Sequence, residues 1–579
     1  MRGSGSARII EALSTPRPMA CLVALFVLVY GIATMSRYGV TFDAPALFYA
    51  GDRTLFALTH PSVPGGLDLL SRNEPAGLMS VFGRHPDWED PVHYPVAFDV
   101  LCAVTSYIFH ERLKALDVVD GHHIGLLFVY AFTLGAYAFY TSRLLGRCAG
   151  AVATAALAFY PSAMGHSFNN PKDWPCAMFY ALGVLAFGLG IVERRPRGIL
   201  TAGLWIGLSL SAKINGAFAL VTLAVWWSAA YMFLSSRPGR AAHRRMFAHA
   251  LIVPMISIAV FIALWPWLYY RSPWEIWARL ESYVHHFVAQ GVTRRPYWWA
   301  YSFRCALWMT PPITLLAACT FGLSGWIGSR RRRAAWLLLL IWTAIPLLRI
   351  AMPRVNVYDG NRQFIEYVPA LCAMAGAGVA AMGRATRAHL RRRLVRPWST
   401  VAGGVMAVTA LSTIVWPIAH YYPYEVTYYN SFAGGLGAAQ RLGLSRDPLD
   451  REWPEWVTAG SEGDYWYTSL RDAMGDVMAL KGPDAVVGAC GALPSQVRAN
   501  APLGSRFTVV RWDDDAATVL YVSPRETVCQ WRTIRSLEAT RRILKRVERD
   551  GGLIYELFGD PLTAPVTPLS GENWYTENR

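Results

Sequence analysis

Acids, histidines and basic residues gather in this chain at the ends of long apolar runs. Asp43 stands in "TFDAP", directly after the first apolar run, while His166, Asn170, Lys172 and Asp173 stand in "HSFNNPKDWP", between two others. A carboxylate next to an acceptor hydroxyl can act as a general base, and a cation can bind an anionic group. Ionisable groups at the edge of a membrane are candidates for function by default.

Asp43 allows two interpretations, and they do not exclude each other. An Asp that is followed two residues later by Pro45 and then by a helix-forming run is typical of a helix N-cap. The same carboxylate is also the first acid beyond the first apolar run, where it would suit a general base at the bilayer surface. The sequence leaves both roles open.

A second acidic stretch, "HPDWEDPVHYP" over residues 85–95, contains Asp90 and His93 among three acids and two histidines. Its simplest interpretation is a solvated loop bounded by prolines. The alternatives are a second acid that positions the acceptor, or a divalent-metal site, since carboxylate and imidazole groups together can hold such a metal. The spacing is not diagnostic, and no nucleotide-binding motif is present elsewhere.

The stretch around Lys172 also has the features that begin a helix. Asn170 suits an N-cap, Pro171 suits the first helical position, and Asp173 suits the positive end of the helix dipole. These roles explain the amide, the proline and the acid without any chemistry. They leave His166 and Lys172 unexplained.

Two further basic residues stand where a phosphate group could be bound. Lys213 in "LSLSAKINGAF" either extends its ammonium along the protein towards water or binds a phosphate as a point charge at headgroup depth. Arg362 in "VYDGNRQFIEYVPAL" follows Asp359, and its fork-shaped guanidinium suits a phosphate or a carboxylate.

The elements that position these residues are predicted to be membrane helices. The chain has 579 residues, of which 54% are hydrophobic, and apolar runs of about 20 residues, long enough to cross a bilayer, recur up to residue 419. The formal net charge of +16 would suit a nucleic-acid partner. The basic residues cluster in short loops between apolar runs, however, which is typical of cytoplasmic loops. We therefore predict a membrane protein and no nucleic-acid partner.

The basic clusters define a cytoplasmic side and give a topology of about 11 crossings. The predicted spans are about 19–37, 123–142, 148–164, 174–192, 199–212, 215–234, 249–270, 305–326, 334–351, 364–383 and 400–419. The amphipathic run 94–110 is predicted to be an external interfacial helix, because another crossing would break the alternation. All the candidate residues then face the non-cytoplasmic side.

The predicted fold class is a mostly α, polytopic membrane protein with a small C-terminal α/β domain outside the cytoplasm. The predicted regions are a cytoplasmic N-terminus (1–18), a transmembrane domain (19–419) with its first external loop (38–122), and the C-terminal domain (420–579). Alternating apolar residues predict strands in "DAVVGAC", "RFTVV" and "TVLYV", and "SLEATRRILKRVERD" predicts a basic helix before "GLIYELF". Cys490 and Cys529 lie in this domain, where a disulfide can form outside the cytoplasm.

Taken together, the motifs resemble the GT-C glycosyltransferases. The resemblance depends on the order of "TFDAP", a long external loop ending in "DPVHYP", "HSFNNPKDWP", the lysine of "GLSLSAKINGAF" and "YDGNRQFIEYVPAL". The most similar group comprises bacterial membrane proteins similar to protein O-mannosyltransferases and to the aminoarabinose transferase of lipid A. In one bacterial subgroup "PYEVTYYNSFAGG" and "DYWYTSLRDAM" also recur, so the resemblance spans about residues 19 to 475.

The resemblance implies an enzyme of the inner (plasma) membrane that transfers a sugar from a polyprenyl-phosphate donor to an acceptor hydroxyl, usually with inversion. It implies that Asp43 is the base and that Lys213 and Arg362 bind the lipid phosphate, with Lys172 as a further candidate. The acceptor, whether a protein, a lipid or a glycan of the cell envelope, is not indicated.

One departure from the family pattern concerns a second acid. Several relatives have Asp-Glu where this chain has Asp43-Ala44, so a second acid would have to come from Asp90 or Asp173. A divalent metal therefore stays an open alternative, and no other cofactor is implied. The residues expected to line the cavity are His93, His166, Asn170 and Asp359.

Two other classes of function compete with the glycosyltransferase hypothesis. A transporter or flippase of cell-envelope precursors often has inverted repeats and polar groups near the middle of the membrane. This sequence shows no repeat, and its polar groups stand at the ends of apolar runs. A non-enzymatic assembly protein, whose C-terminal domain binds partners, would make the charged residues incidental.

Overall fold

The computed structural model describes residues 15–61, 94–234, 237–291, 299–353, 355, 359–393, 412–442, 462–492, 494–524 and 531–562. Asp90, His93 and Cys529 lie outside these ranges, so the predictions that concern them stay predictions. The described part consists mainly of helices, with one small sheet near the C-terminus.

The helices before the sheet are joined by connections of very different length. They are α1 (Pro16–Thr34), α2 (Ala44–Thr59), α3 (Ala97–Ser106), α4 (Val118–Leu145), α5 (Arg147–Ala158), α6 (Pro161–Asn169), α7 (Asp173–Glu193), α8 (Pro196–Leu210), α9 (Phe218–Leu234), α10 (Arg237–Ala263), α11 (Ile276–Gly291), α12 (Tyr301–Trp308), α13 (Pro312–Ser324), α14 (Arg330–Ile350), α15 (Val368–Arg393) and α16 (Gly435–Leu442). A further helical stretch covers residues 412–421.

The lengths and compositions of these helices are those of a multi-pass membrane protein. In the described ranges, seven helices are long and apolar enough to cross a membrane, and nine spans result if each of two bent pairs counts as one. Helix α8, predicted as a span, has 15 residues, and the last predicted span lies partly outside the described ranges. The count of about 11 crossings therefore stays a prediction.

Two of the predicted spans are bent rather than straight. Helices α5 and α6 meet at 64°, and α12 and α13 meet at 114°. Pro161 begins α6, and Pro311 and Pro312 stand at the start of α13. Proline has no backbone N–H and disfavours helical geometry in the residue before it, so each helix ends where the proline follows.

Small residues allow the central helices to pack closely. A Cβ atom at Gly376 in α15 would overlap the carbonyl oxygen of Ala149 in α5, and one at Gly378 would overlap that of Ala317 in α13. Helix α15 therefore packs closely on both neighbours, as small residues permit in membrane helices.

The run predicted as an interfacial helix forms α3 followed by one turn of π-helix, Tyr107–Arg112. Leu113, directly after it, is 61% exposed. Helix α3 packs against α2 and α4. Its predicted position at the membrane surface stays a prediction.

The C-terminal part contains a five-stranded sheet with the order β2-β1-β3-β5-β4. Its elements are α17 (Leu470–Lys481), β1 (Val486–Cys490), α18 (Pro494–Ala499), β2 (Thr508–Val510), β3 (Val519–Val522), α19 (Trp531–Thr540), β4 (Arg541–Arg549) and β5 (Gly552–Pro561). Strand β1 pairs in parallel with β2 and β3, whereas β5 pairs antiparallel with β3 and β4. The first three predicted strands are confirmed.

The prediction of one basic helix over "SLEATRRILKRVERD" is wrong in its second half. Helix α19 ends at Thr540, and β4 and β5 form a hairpin around Asp550 and Gly551. Both turn residues have positive φ, 50° and 70°, as an Asp-Gly turn of type I′ requires. The Asp-Gly pair was a hairpin signal that outweighs the helix-forming arginines.

Several ion pairs attach the C-terminal part to residues near the end of α1 and the start of α4. Arg471 of α17 binds Asp117 at 2.6 Å and Asp120 at 2.9 Å, and Arg37 binds Asp472 at 2.8 Å. Cys490 takes part in a disulfide.

Candidate active site

The centre of the candidate site is the guanidinium of Arg362, which contacts three carboxylates. It lies 2.9 Å from Asp43 and 3.4 Å from Asp173 through Nη1, and 2.5 Å from Asp359 through Nη2. The Arg362 side chain is 8% exposed. Four predicted site residues from three separate segments of the chain therefore meet at Arg362.

A left-handed turn sets the direction of Arg362. Asp359 and Gly360 have φ values of 59° and 61°, a conformation that Gly adopts freely and that Asp tolerates better than most residues. A short 3-10 helix, Arg362–Tyr367, then leads into α15. The "DGN" sequence thus makes the sharp turn that brings Arg362 to the three acids.

Lys213 is the second cation of the cluster. Its Nζ lies 2.5 Å from Oδ1 of Asp173 and donates to Oε1 of Gln363 at 3.2 Å, and the side chain is 12% exposed. The ammonium therefore ends at a buried carboxylate. It does not extend along the protein into water, which was the first of the two interpretations of Lys213. Asp173 lies between the two cations, because Oδ2 faces Arg362 while Oδ1 faces Lys213.

Asp43 immediately precedes α2, but its side chain makes no capping hydrogen bond. The N-cap interpretation is therefore wrong for the carboxylate, although the helix begins at the predicted place. The side chain is 31% exposed, which makes it far more accessible than Asp173 at 2%. The Asp43 carboxylate is thus accessible, does not cap its own helix and pairs with Arg362.

The stretch from His166 to Asp173 joins the last turn of α6 to the start of α7, and Asn170 fixes the connection. Oδ1 of Asn170 accepts hydrogen bonds from the backbone N–H groups of Lys172 and Asp173, at 3.1 and 2.8 Å. Its Nδ2 donates to Oδ2 of Asp173 at 2.9 Å and lies 3.3 Å from Nδ1 of His166. The predicted N-cap position is wrong, because α7 begins at Asp173 with Lys172 as its N-cap. The Asn170 side chain instead closes the turn before α7 and contacts the acid of the cluster.

Lys172 lies at the edge of the cluster. Its Nζ is 3.8 Å from the centroid of the Tyr94 ring, a cation–π distance. Burial lowers the pKa of the ammonium, and the carboxylate of Asp43 opposes that shift.

Asp99 of α3 is also buried, and burial raises its pKa while Lys172 opposes the shift. Asp99 is an acid near the site that the sequence did not indicate.

Two aromatic residues of the C-terminal part also belong to the site. The guanidinium carbon of Arg362 lies 4.6 Å from the ring centroid of Trp466, and the His166 ring meets the same indole edge-on at 5.2 Å. Oη of Tyr465 lies 3.4 Å from Nε2 of His166. Their stretch, "DYWYTSLRDAM", was a recurring motif, but an aromatic side chain gives no indication of chemistry by itself.

The described residues contain no group of three or more His, Cys, Asp or Glu side chains that could hold a metal ion. Asp43, Asp173 and Asp359 all face the guanidinium of Arg362. Asp90 and His93 are outside the described ranges, so the metal alternative is untested.

No family model matches the chain, and no curated protein matches it. Among solved structures, it is similar to ArnT from Cupriavidus metallidurans in the apo state, with 13% identity over 96% of this chain and 98% of that chain and a TM-score of 0.49. The same protein bound to undecaprenyl phosphate gives 13% identity, 95% and 99% coverage, and a TM-score of 0.48.

Two further similar structures come from larger proteins. Archaeal oligosaccharyltransferase AglB from Archaeoglobus fulgidus, solved with an inhibitory peptide and a dolichol-phosphate, gives 13% identity over 84% of this chain and 64% of that chain and a TM-score of 0.41. Arabinofuranosyltransferase AftD from Mycobacteria gives 12% identity, 94% and 40% coverage, and a TM-score of 0.39. All four similarities lie below 25% identity and below a TM-score of 0.5, so the resemblance of the motifs to GT-C glycosyltransferases stays a prediction. At these low identities and TM-scores, the chemistry has to be argued from the residues of this chain.

Proposed function

We propose that this chain is a membrane glycosyltransferase that moves a sugar from a polyprenyl-phosphate donor to an acceptor hydroxyl. The observation that supports this most directly is the combination of a partly exposed carboxylate, Asp43, with two nearly buried cations, Arg362 and Lys213. A base for the acceptor and positive charge for the departing phosphate are the two parts that such a transfer needs.

The reaction is a single displacement at the anomeric carbon. Asp43 takes the proton of the acceptor hydroxyl while the hydroxyl oxygen forms a bond to that carbon. The bond between the anomeric carbon and the phosphate oxygen breaks, and its electron pair stays on the phosphate. Because the acceptor attacks from the face opposite the phosphate, the configuration is inverted.

Arg362 and Lys213 stabilise the charge that develops on the phosphate. A guanidinium binds two phosphate oxygens in its plane, whereas an ammonium acts as a point charge. Asp173 contacts both cations from the protein side and so fixes their separation. Lys172 adds positive charge at the edge of the cluster, where its Nζ lies 3.8 Å from the centroid of the Tyr94 ring.

The position of the cluster favours an enzyme over a transporter. Asp173 is the first residue of α7, Arg362 begins the short helix before α15, and Lys213 stands between α8 and α9. The charged groups thus lie at helix ends, not in the middle of helices where many transporter sites lie. In the predicted topology these ends face the non-cytoplasmic side of the inner membrane, where a cell-envelope acceptor would be met.

The test uses the full-length protein in lipid nanodiscs, with binding of undecaprenyl phosphate and transfer from polyprenyl-phosphate sugars as separate measurements. We expect the wild type to bind the lipid and to release it from a sugar-bearing donor. The Lys213→Met variant should bind it at least tenfold more weakly, since a charged hydrogen bond of about 1.5–3 kcal/mol is lost. Arg506→Met is the matched control, because Arg506 pairs with Asp484 on the exposed surface.

Lipid uptake into vesicles without any transfer product would contradict the proposal and favour the transporter. Equal binding by wild type and Lys213→Met would remove Lys213 from the phosphate site.

A further inference from the structure

We propose that Trp466 is a positioning residue for this reaction, through which the C-terminal part of the chain completes the active site. The inference rests on the proposed function and extends it to a region whose role the proposed function leaves open. Trp466 acts in two ways, because its ring supports Arg362 and its backbone supports the segment that carries Asp43.

The guanidinium of Arg362 stacks on the ring of Trp466 in a cation–π contact. The distance from the guanidinium carbon to the ring centroid is 4.6 Å, and Trp466 is 1% exposed. An indole is the best aromatic partner for a cation, and a desolvated contact of this kind corresponds to about a thirtyfold change in an equilibrium constant. The planar guanidinium is thereby held with its edge towards the carboxylates.

The backbone around Trp466 holds the segment before Asp43. The carbonyl oxygen of Trp466 accepts a hydrogen bond from the Phe42 N–H at 3.1 Å. Gln496 donates to the Phe42 carbonyl at 2.9 Å, and Asn500 bonds both the N–H and the carbonyl of Val40, at 2.8 and 3.1 Å. Residues 40–42 are therefore bound by three separate residues of the C-terminal part.

The turn that carries Trp466 is itself fixed by a buried acid. Oδ1 of Asp464 accepts from the Thr468 N–H at 2.8 Å, and Oδ2 accepts from the Ser469 N–H at 2.7 Å. Asp464 is fully buried. A supporting residue positions a site well only if its own conformation is fixed, and this turn meets that condition.

The experiment is a double-mutant cycle on the full-length protein, with the dissociation constant of undecaprenyl phosphate as the measured quantity. We expect Trp466→Leu to weaken binding about ten- to thirtyfold and Trp466→Phe, which keeps a ring, to weaken it less than fivefold. In an Arg362→Lys background, the effect of Trp466→Leu should fall below threefold. Such non-additivity arises when two residues act together.

Trp226→Leu is the matched control, because Trp226 is 1% exposed and its indole donates to the Ala334 carbonyl, away from the site. It should lower thermal stability without changing lipid binding. Equal effects of Trp466→Leu in the wild-type and Arg362→Lys backgrounds would overturn the inference, as would unchanged binding.

If Trp466→Leu does not fold, Trp466→Phe and Trp466→Tyr give the same cycle with smaller expected differences. Complete lack of binding by the wild type would instead refute the proposed function, and the inference with it. The two failures are therefore distinguishable.

Discussion

The single variants Asp43→Asn and Asp173→Asn should distinguish the roles of the two acids. Asp43 is the proposed proton acceptor, and Asp173 is the acid that contacts both cations. Both changes remove one negative charge and keep nearly the same side-chain volume. Both acids contact Arg362, at 2.9 and 3.4 Å. They differ in burial, with 31% of the Asp43 side chain exposed and 2% of that of Asp173.

That difference sets the expected size of each effect. A partly exposed ion pair contributes about 0–1 kcal/mol to stability, so Asp43→Asn should leave the unfolding temperature nearly unchanged. Removing one partner of a buried ion pair costs about 3–5 kcal/mol, because the other charge stays buried without compensation. Asp173 neutralises Lys213 at 2.5 Å as well as Arg362, so Asp173→Asn should destabilise the protein strongly.

The two variants should also differ in which step of the reaction they impair. A positioned general base contributes about 10²–10⁴-fold to rate, so Asp43→Asn should lose activity by that factor while still binding undecaprenyl phosphate. Asp173→Asn should instead weaken lipid binding together with stability. The assay is sugar transfer in nanodiscs beside thermal unfolding of the same preparations. Turnover of Asp43→Asn within threefold of wild type would refute the assignment of Asp43 as the base.

Three further outcomes are expected. Arg362→Lys should raise the dissociation constant of the donor at least tenfold, because one ammonium cannot reproduce a bidentate fork; isothermal binding curves measure this. Burial raises the pKa of Glu425 to about 7, and Tyr38 donates to it at 2.8 Å. The folded protein therefore holds the proton of the Glu425 carboxyl more tightly than the unfolded chain does. Up to about 3 kcal/mol of stability should be lost as pH rises from 4.5 through 7. The Glu425→Gln variant should show a flatter pH–stability curve over this range. Gly376→Ala should lower stability by about 1–3 kcal/mol because its Cβ would overlap the Ala149 carbonyl, which thermal unfolding in detergent can check.

The sequence was sufficient to predict the members of the central cluster. Asp43, Lys213 and Arg362 stand at the ends of apolar runs, and alternation of the runs assigns those ends to one side of a membrane. Ionisable residues are scarce among the apolar runs. Those at one side of the membrane can therefore pair mainly with one another. In the structure Arg362 contacts Asp43 directly, and Asp173 links Arg362 to Lys213.

Features that depend on contacts between distant segments could not be predicted in this way. The contact of Trp466 with Arg362 joins residues about one hundred positions apart, and no local pattern marks it. The break between α5 and α6 depends on Pro161, which is visible in the sequence, but the angle of 64° depends on packing. The β4–β5 hairpin is hard to predict because its basic residues also favour a helix, although Asp550 and Gly551 together are a hairpin signal.

The central position of Arg362 has a consequence for how charge moves in the proposed reaction. Before transfer, the negative charge resides on Asp43 and on a phosphodiester; afterwards Asp43 carries the proton and the phosphate has gained a charge. One unit of negative charge therefore passes from the base to the phosphate, while the total charge of the site is unchanged.

Arg362 contacts Asp43 directly and is proposed to bind the phosphate. A single fixed cation beside both groups stabilises the charge at its origin and at its destination, so little reorganisation is needed during the step. Lys213, whose ammonium contacts Asp173, then adds stabilisation at the destination of the charge.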